Sequence, residues 1–342
     1  MPRNNIKKFD IIFMLFFITA MVPAADAGCS CSGGCSAAGN WELSANAFLN
    51  SDIPGAPSSS TNNNSSADNI APVATSNAKS TPKPEYRSDL FINGQILKPL
   101  ESVASSDVVI DASNSDSYSK SHVKGAIHIP SRSFLDDNGS LKPAQELVGI
   151  LGEAGISRDD PIVVYSDDFS SGDATLVFWA LKYLGQDDAK VLDGSLEDWS
   201  ASGLPVESSQ NTRSAVTFTP SLRSDLLASY DSVKSSGAQI VDARPFAEFG
   251  KGRIPGAISL DSAKVLQNGK IKDESKLNDI FSSLSKDKPV IVYSGNYNQA
   301  SIVWYALQLL GYNAEMYTLS DWIAHQPASE NGDNTGRYKK LG

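Results

Sequence analysis

The side chains best suited to covalent or metal chemistry in this sequence sit near its amino end. Cys29, Cys31 and Cys35 fall within seven residues and are the only thiols among 342 residues. Three cysteines cannot make a disulfide framework for a chain this long. A Cys-x-Cys-x₃-Cys cluster among Ser and Gly has no fold of its own, and three chemistries suit it. Cys29 can carry a lipid while Cys31 and Cys35 pair as a small disulfide loop. The three thiolates can instead hold a soft ion such as Cu(I) or Zn. Or the cluster can itself carry sulfur to an acceptor. Elsewhere the candidates are hydroxyls, which need a general base to act as nucleophiles. His122, His128 and His325 are the only imidazoles available. Asp167-Asp168 resemble a metal pair but no third ligand accompanies them, so neither a metal in the folded part nor a cofactor is expected.

Composition narrows the partners. With 39 acidic against 29 basic side chains the formal net charge is −10. Nothing in it supplies the basic stripe that phosphate neutralisation requires, so nucleic acid is excluded as a partner. A hydrophobic fraction of 41% is enough for real cores, and the length suggests about two domains.

The amino terminus has the anatomy of an export signal. Arg3, Lys7 and Lys8 precede an apolar stretch from Ile11 to Pro23, too short to span a bilayer comfortably. Ala25-Asp26-Ala27 then fits a small-x-small cleavage site, giving a signal peptide over 1–27. Plain export to the periplasm or cell surface is the preferred reading. Gly28-Cys29 also ends as a lipoprotein box does, so a lipid on Cys29 is the alternative and the one expected membrane attachment. Residues 28–85 continue as the cysteine cluster and a Ser-, Asn- and Pro-rich tether. It contains Asn62-Asn63-Asn64-Ser65-Ser66 and few large apolar residues, too few to offset the entropy of folding. A flexible chain of about 50 residues spans roughly 35–45 Å on average, so the cluster can reach past the tether.

Beyond the tether the sequence repeats itself. Asp107-Val-Val-Ile-Asp111-Ala112 is answered by Ala238-Gln-Ile-Val-Asp242-Ala243, and His122–Ile127 by Arg253–Ile258, both at an offset of 131. Ile162–Ser166 matches Val290–Ser294 at 128, and Ala174–Gly185 matches Ala300–Gly311 at 126. Order is kept while the offset drifts, as when one fold is duplicated with loops of unequal length. In each copy short β-branched runs alternate with helical spacing, ending at Gly185 and Gly311, which predicts parallel strands with crossover helices. Two α/β domains result, over 86–207 and 214–331, with a polar tail at 332–342. Trp199 and Trp322, at matching positions, are expected to pack against the sheets.

The order of landmarks resembles the rhodanese (sulfurtransferase) superfamily. They are Asp242-Ala243-Arg244, then Gly252-Arg-Ile-Pro-Gly-Ala-Ile258, an apolar strand ending in Tyr before a loop and helix, and Val191-Leu-Asp-Gly-Ser195 with Trp199. The tandem arrangement is like thiosulfate and mercaptopyruvate sulfurtransferases, over roughly 240 residues. The resemblance implies two rhodanese-like domains, each a parallel sheet flanked by helices. It also implies a sulfur-carrying Cys at the first position of a six-residue loop, where backbone N–H groups and a helix N-terminus stabilise a thiolate. Here that position is Ser294, followed by Gly295, Asn296, Tyr297, Asn298 and Gln299 before Ala300; its counterpart is Ser166, in a longer acidic loop ending at Asp173. Serine cannot form a persulfide. By this resemblance Asp111, Asp242 and Arg244 support the loops, and His122 is structural. Arg253 and Lys251 are candidates for steering an anion, although exposed charges there are usually only solvated.

The expectation is therefore an exported, monomeric, degenerate member of the cell envelope. Its loop binds a small anionic or sulfur-containing ligand, or an envelope partner protein. The alternative is an enzyme that transfers sulfur or another chalcogen on Cys29, Cys31 and Cys35.

Overall fold

A computed structural model of the protein describes residues 84–326; the stretch expected to direct export, the thiol cluster and the polar tail lie outside them. Among the described residues no helix is long and apolar enough to cross a membrane.

The first repeat runs β1 (Leu97–Lys98), β2 (Val108–Asp111), α1 (Ser115–Lys120), β3 (His122–Val123) and β4 (Ile127–His128). It continues with α2 (Ala144–Glu153), β5 (Ile162–Tyr165), α3 (Asp173–Tyr183), β6 (Ala189–Leu192), α4 (Leu196–Ala201) and β7 (Val206–Glu207). Its main sheet has the order β1-β6-β5-β2-β4, with every pairing parallel. All four residues of β5 are buried, as a strand covered on both faces requires. The second repeat runs α5 (Tyr230–Ser235), β8 (Gln239–Asp242), α6 (Phe246–Lys251), β9 (Ile258–Ser259), β10 (Leu266–Gln267) and β11 (Lys270–Ile271). After these come α7 (Glu274–Ile280), β12 (Val290–Ser294), α8 (Tyr297–Leu309), β13 (Ala314–Thr318) and α9 (Leu319–Ala324). Its sheet, β13-β12-β8-β9, is again parallel. A single parallel bridge from Leu227 to Met316 stands where β1 stands in the first repeat.

The two repeats share one core. Helices α3 and α8 are apolar almost all round and buried along most of their length, because each lies between its own sheet and the other helix. Thr175 Oγ1 meets Ser301 Oγ at 2.8 Å, and the rings of Phe178 and Trp304 lie 6.0 Å apart. Both pairs join positions related by the 126-residue offset. Equivalent residues touching each other is the signature of a local two-fold, the contact a symmetric dimer makes. At one end the backbones nearly touch. A Cβ on Gly172, whose φ is +76°, would lie 2.5 Å from the carbonyl oxygen of Asn298. Only glycine fits there.

Two segments that read as connectors are built into this core. Residues 208–223 lie along the first repeat, with Val216 N donating to Gly152 O and Arg223 N to Tyr183 O, and with Phe218 buried. The stretch before β1 straps the repeats together. Asn93 N donates to Leu309 O, while Arg87 pairs with Asp193 and donates to Ile271 O at 2.6 Å. Trp199 and Trp322 pack as expected, each buried against its own sheet.

Glu207 closes the short β3–β7 ribbon. It accepts from Gly125 N at 2.6 Å and from Asn211 Nδ2 at 2.8 Å, which hold its carboxyl at about 2, well below the usual 4.5. A carboxyl held low contributes stability that is complete above pH 4.5 and is lost as the pH falls towards 2. Urea unfolding at pH 5 and pH 3 should show the wild type losing more stability between the two than Glu207→Gln does. Equal losses would contradict this assignment.

Candidate functional site

Strands β8 and β12 end side by side, and the turns that leave them diverge, β8 towards β9 and β12 towards β13. In open parallel sheets this divergence opens a crevice at the carboxyl ends of the strands. Ser294 is the last residue of β12, and α8 begins at Tyr297. The sequence predicted this helix only from Ala300. It starts earlier because Asn296 caps it, its side chain accepting from Gln299 N at 3.1 Å. The expected six-residue loop is thus a two-residue turn, Gly295-Asn296, running into the first turn of a 13-residue helix. Ala300 follows inside that helix, fully buried.

Both candidate hydroxyls are buried and turned inwards. Ser294 Oγ donates to Asn296 O of its own turn, and Ser166 Oγ donates to Asp168 O at 3.0 Å. The three imidazoles are engaged elsewhere. His122 is buried, stacked on Tyr118 at 3.8 Å with Nδ1 2.7 Å from Tyr118 O. His128 Nε2 is 2.9 Å from Ser113 O, and His325 Nδ1 is 2.8 Å from Asp321 O. Asp167 accepts from Ser117 Oγ, and Asp168 from Ser170 N and Oγ.

Under each serine lies a tie that the sequence did not reveal. Tyr293 Oη donates to Asp242 Oδ2 at 2.6 Å and accepts from Ile254 N at 3.1 Å. Tyr165 Oη does the same with Asp111 Oδ2 at 2.5 Å and Val123 N at 2.9 Å. Burial, followed by the neighbouring aspartate, pushes both phenols well above their ordinary value, so both stay neutral donors. Each tyrosine immediately precedes its serine, and the tie therefore fixes where the turn begins. In the second repeat Arg244 completes the lock. Its Nε lies 2.9 Å from Asp242 Oδ1, and its Nη2 donates to Asp242 Oδ2 and Gly252 O, both at 2.6 Å. In the first repeat Ser113 stands in Arg244's place and offers Asp111 only its backbone N–H, at 2.8 Å. Tyrosine at the same position of both copies was the signal available in the sequence.

The head of α8 also grips the other repeat. Asn298 Nδ2 donates to Asp173 Oδ1 at 2.9 Å and to Ser171 O at 3.3 Å. On the far side of the β8 turn, Lys251 pairs with Glu248, and the Arg253 guanidinium lies over the Phe249 ring, 4.6 Å from its centre.

The Rhodanese-like domain pattern matches this chain twice, over residues 94–202 and 225–321, three-fifths of its length. The chain belongs to the rhodanese-like family. Among curated rhodanese relatives, the 3-mercaptopyruvate sulfurtransferase of Escherichia coli K12 is 27% identical over 242 residues, covering 63% of this chain and 84% of that protein. The thiosulfate sulfurtransferase of Corynebacterium glutamicum is 27% identical over 263 residues, covering 65% and 85%. Among solved structures, the 3-mercaptopyruvate sulfotransferase SseA from Escherichia coli, which has the rhodanese fold, matches with a TM-score of 0.60 at 23% identity. It covers 65% of this chain and 97% of its own. The anaerobic ergothioneine biosynthesis enzyme of Chlorobium limicola matches with a TM-score of 0.60 at 18% identity, covering 66% and 67%. Ser166, Ser294, Asp111, Asp242 and Arg244 all fall inside the two rhodanese-like spans. Cys29, Cys31 and Cys35 fall outside both spans and outside the described residues.

Proposed function

We propose that this protein is a degenerate rhodanese, a binding module in which Ser294 and Ser166 stand where the family carries its sulfur-bearing cysteine. The observation that carries this reading is the state of Ser294. Its hydroxyl is fully buried and donates to Asn296 O, and an oxygen at this position cannot carry a persulfide. The head of α8 supports a binding role. A long helix concentrates positive potential at its first turn, and Gly295, Asn296, Tyr297 and Asn298 carry their N–H groups there. The ligand is then a small anionic or sulfur-containing molecule, or a partner protein. Asp111, Asp242 and Arg244 act as supports of the turn rather than as contacts to the ligand.

Export and an envelope location belong to the same proposal and rest on the sequence of residues 1–27. Monomeric behaviour and plain export without a lipid complete it. Mass spectrometry of the mature amino terminus separates a free or disulfide-bonded Cys29 from a lipidated one.

A sulfur-release assay with thiosulfate and cyanide tests the central point. The mature protein and a version beginning after Glu85 should both be inactive. Activity present in the mature protein and lost with residues 28–85 would instead establish transfer on Cys29, Cys31 or Cys35. Activity that survives the truncation would overturn both readings, since no thiol remains. Ser294→Cys should introduce activity if the turn has kept its geometry.

A further inference from the structure

The second repeat holds a cavity of about 440 Å³ at the carboxyl end of β13, between α5 and α9. Its walls include Tyr230, Asp231, Tyr297, Tyr317, Asp321 and His325, but not Ser294. The cavity coincides with a difference between the repeats. In the first, six residues separate the end of β6 from Trp199, and two of them, Asp193-Gly194, cover the strand ends. Asp193 N donates to Lys98 O there, and its carboxylate receives Arg87. In the second repeat only four residues separate Tyr317 from Trp322. The chain passes directly from β13 into α9, with Thr318 as the cap. The cover is absent, and the space over the strand ends is open.

The lining has a definite chemical character. Tyr317 is 2% exposed, yet its hydroxyl makes no hydrogen bond of good geometry. A buried polar atom left in that state costs free energy that a ligand can recover. The Asp321 carboxylate lies close enough to influence that phenol, and Asp231 stands at the rim. Burial and Asp321 raise the phenols of Tyr317 and Tyr297, the latter to about 12, so neither contributes charge at neutral pH. His325 stacks on Tyr230 at 4.5 Å with its Nδ1 3.6 Å from Asp321 Oδ1, and Lys234 Nζ is 5.8 Å from the same ring centre. The cavity is a space of ligand size with aromatic walls, the carboxylates of Asp231 and Asp321, the His325 ring beside Asp321, and the unpartnered Tyr317 hydroxyl.

We propose that this cavity binds a small organic cation, an ammonium or guanidinium group on an apolar body. Asp321 pairs with the cationic nitrogen, Tyr317 Oη accepts one of its N–H groups, and the Tyr230 and Tyr297 side chains flank the apolar part. The site is separate from the proposed anion contact at the head of α8. Tyr297 contributes its side chain to this cavity and its backbone N–H to the head of α8.

Isothermal titration of the mature protein with benzylamine, agmatine and benzoate tests the proposal. The two cations should bind with dissociation constants of about 0.1–5 mM, and benzoate should give no heat up to about 20 mM. Asp321→Asn should weaken benzylamine about tenfold or more. Tyr317→Phe should weaken it about threefold or more while leaving the thermal midpoint unchanged or higher, because it removes a hydroxyl without a partner. That combination is not what a purely structural role would give. Benzoate binding as tightly as benzylamine, the absence of cation binding, or an Asp321→Asn affinity within about twofold of wild type would each overturn the proposal.

Discussion

Trp304→Ala should cost about 3–5 kcal/mol of folding free energy, among the largest losses expected from a single change in the core. Trp304 is 1% exposed, and its ring packs between the sheet of the second repeat and Phe178 of the first. Its indole N–H donates to Ala314 O at 2.8 Å, so truncation removes both a large apolar surface and the donor to a buried carbonyl. A protein of this kind is stable by roughly 5–15 kcal/mol in total, so the loss takes about a fifth of it or more. Because the core around α3 and α8 belongs to both repeats, the variant should still unfold in one transition, with a lower urea midpoint and an unchanged slope. A loss below about 1.5 kcal/mol, or two separate transitions, would show that the repeats are not joined as described.

Asp242→Ala should cost about as much, roughly 3–5 kcal/mol, for an electrostatic reason. The change leaves Arg244, 4% exposed, as a buried cation with Gly252 O as its remaining acceptor, and it strips Tyr293 of the carboxylate to which it donates. Removing one partner of such a pair is far more costly than removing both. Asp242→Ala combined with Arg244→Leu should therefore recover a measurable part of the loss in the same urea titration. Asp111→Ala should cost less than Asp242→Ala, since Ser113 brings no guanidinium to the first repeat. If Asp111→Ala proved equally costly, the tyrosine tie would outweigh the ion pair. If the double change were worse than the single one, the account of Arg244 would fail.

Much of the architecture was legible because duplication prints itself on a sequence. Asp111 and Asp242, Ser166 and Ser294, Gly185 and Gly311 were recognisable as equivalent before any fold was assigned. Strands and buried helices followed from apolar runs and their stops. What escaped notice depends on contacts between distant residues. Tyr165 and Tyr293 look like the last apolar members of their strands, and only the third dimension brings their hydroxyls to Asp111 and Asp242. Arg87 and Asn93 sit beside a tether-like sequence, and their partners Asp193 and Leu309 lie far along the chain. The early start of α8 was readable in principle, because Asn296 is a good capping residue three positions before Gln299. The cavity beside Tyr317 arises from two residues missing in a turn, a difference visible only when the repeats are aligned through Trp199 and Trp322.

The contact between Thr175 and Ser301 has a consequence for ancestry. Two copies that meet through equivalent residues are arranged as subunits of a symmetric dimer would be, here carried on one strand of genetic information. In a true dimer every substitution appears twice, and both loops must satisfy the same requirement. Fusion removes that obligation. The helices at the axis, α3 and α8, remain constrained by each other, while the turns ahead of them can change independently. The longer, acidic turn at Ser166 and the short, capped one at Ser294 are two outcomes of that freedom, and so is the direct passage from β13 into α9 beside the cavity.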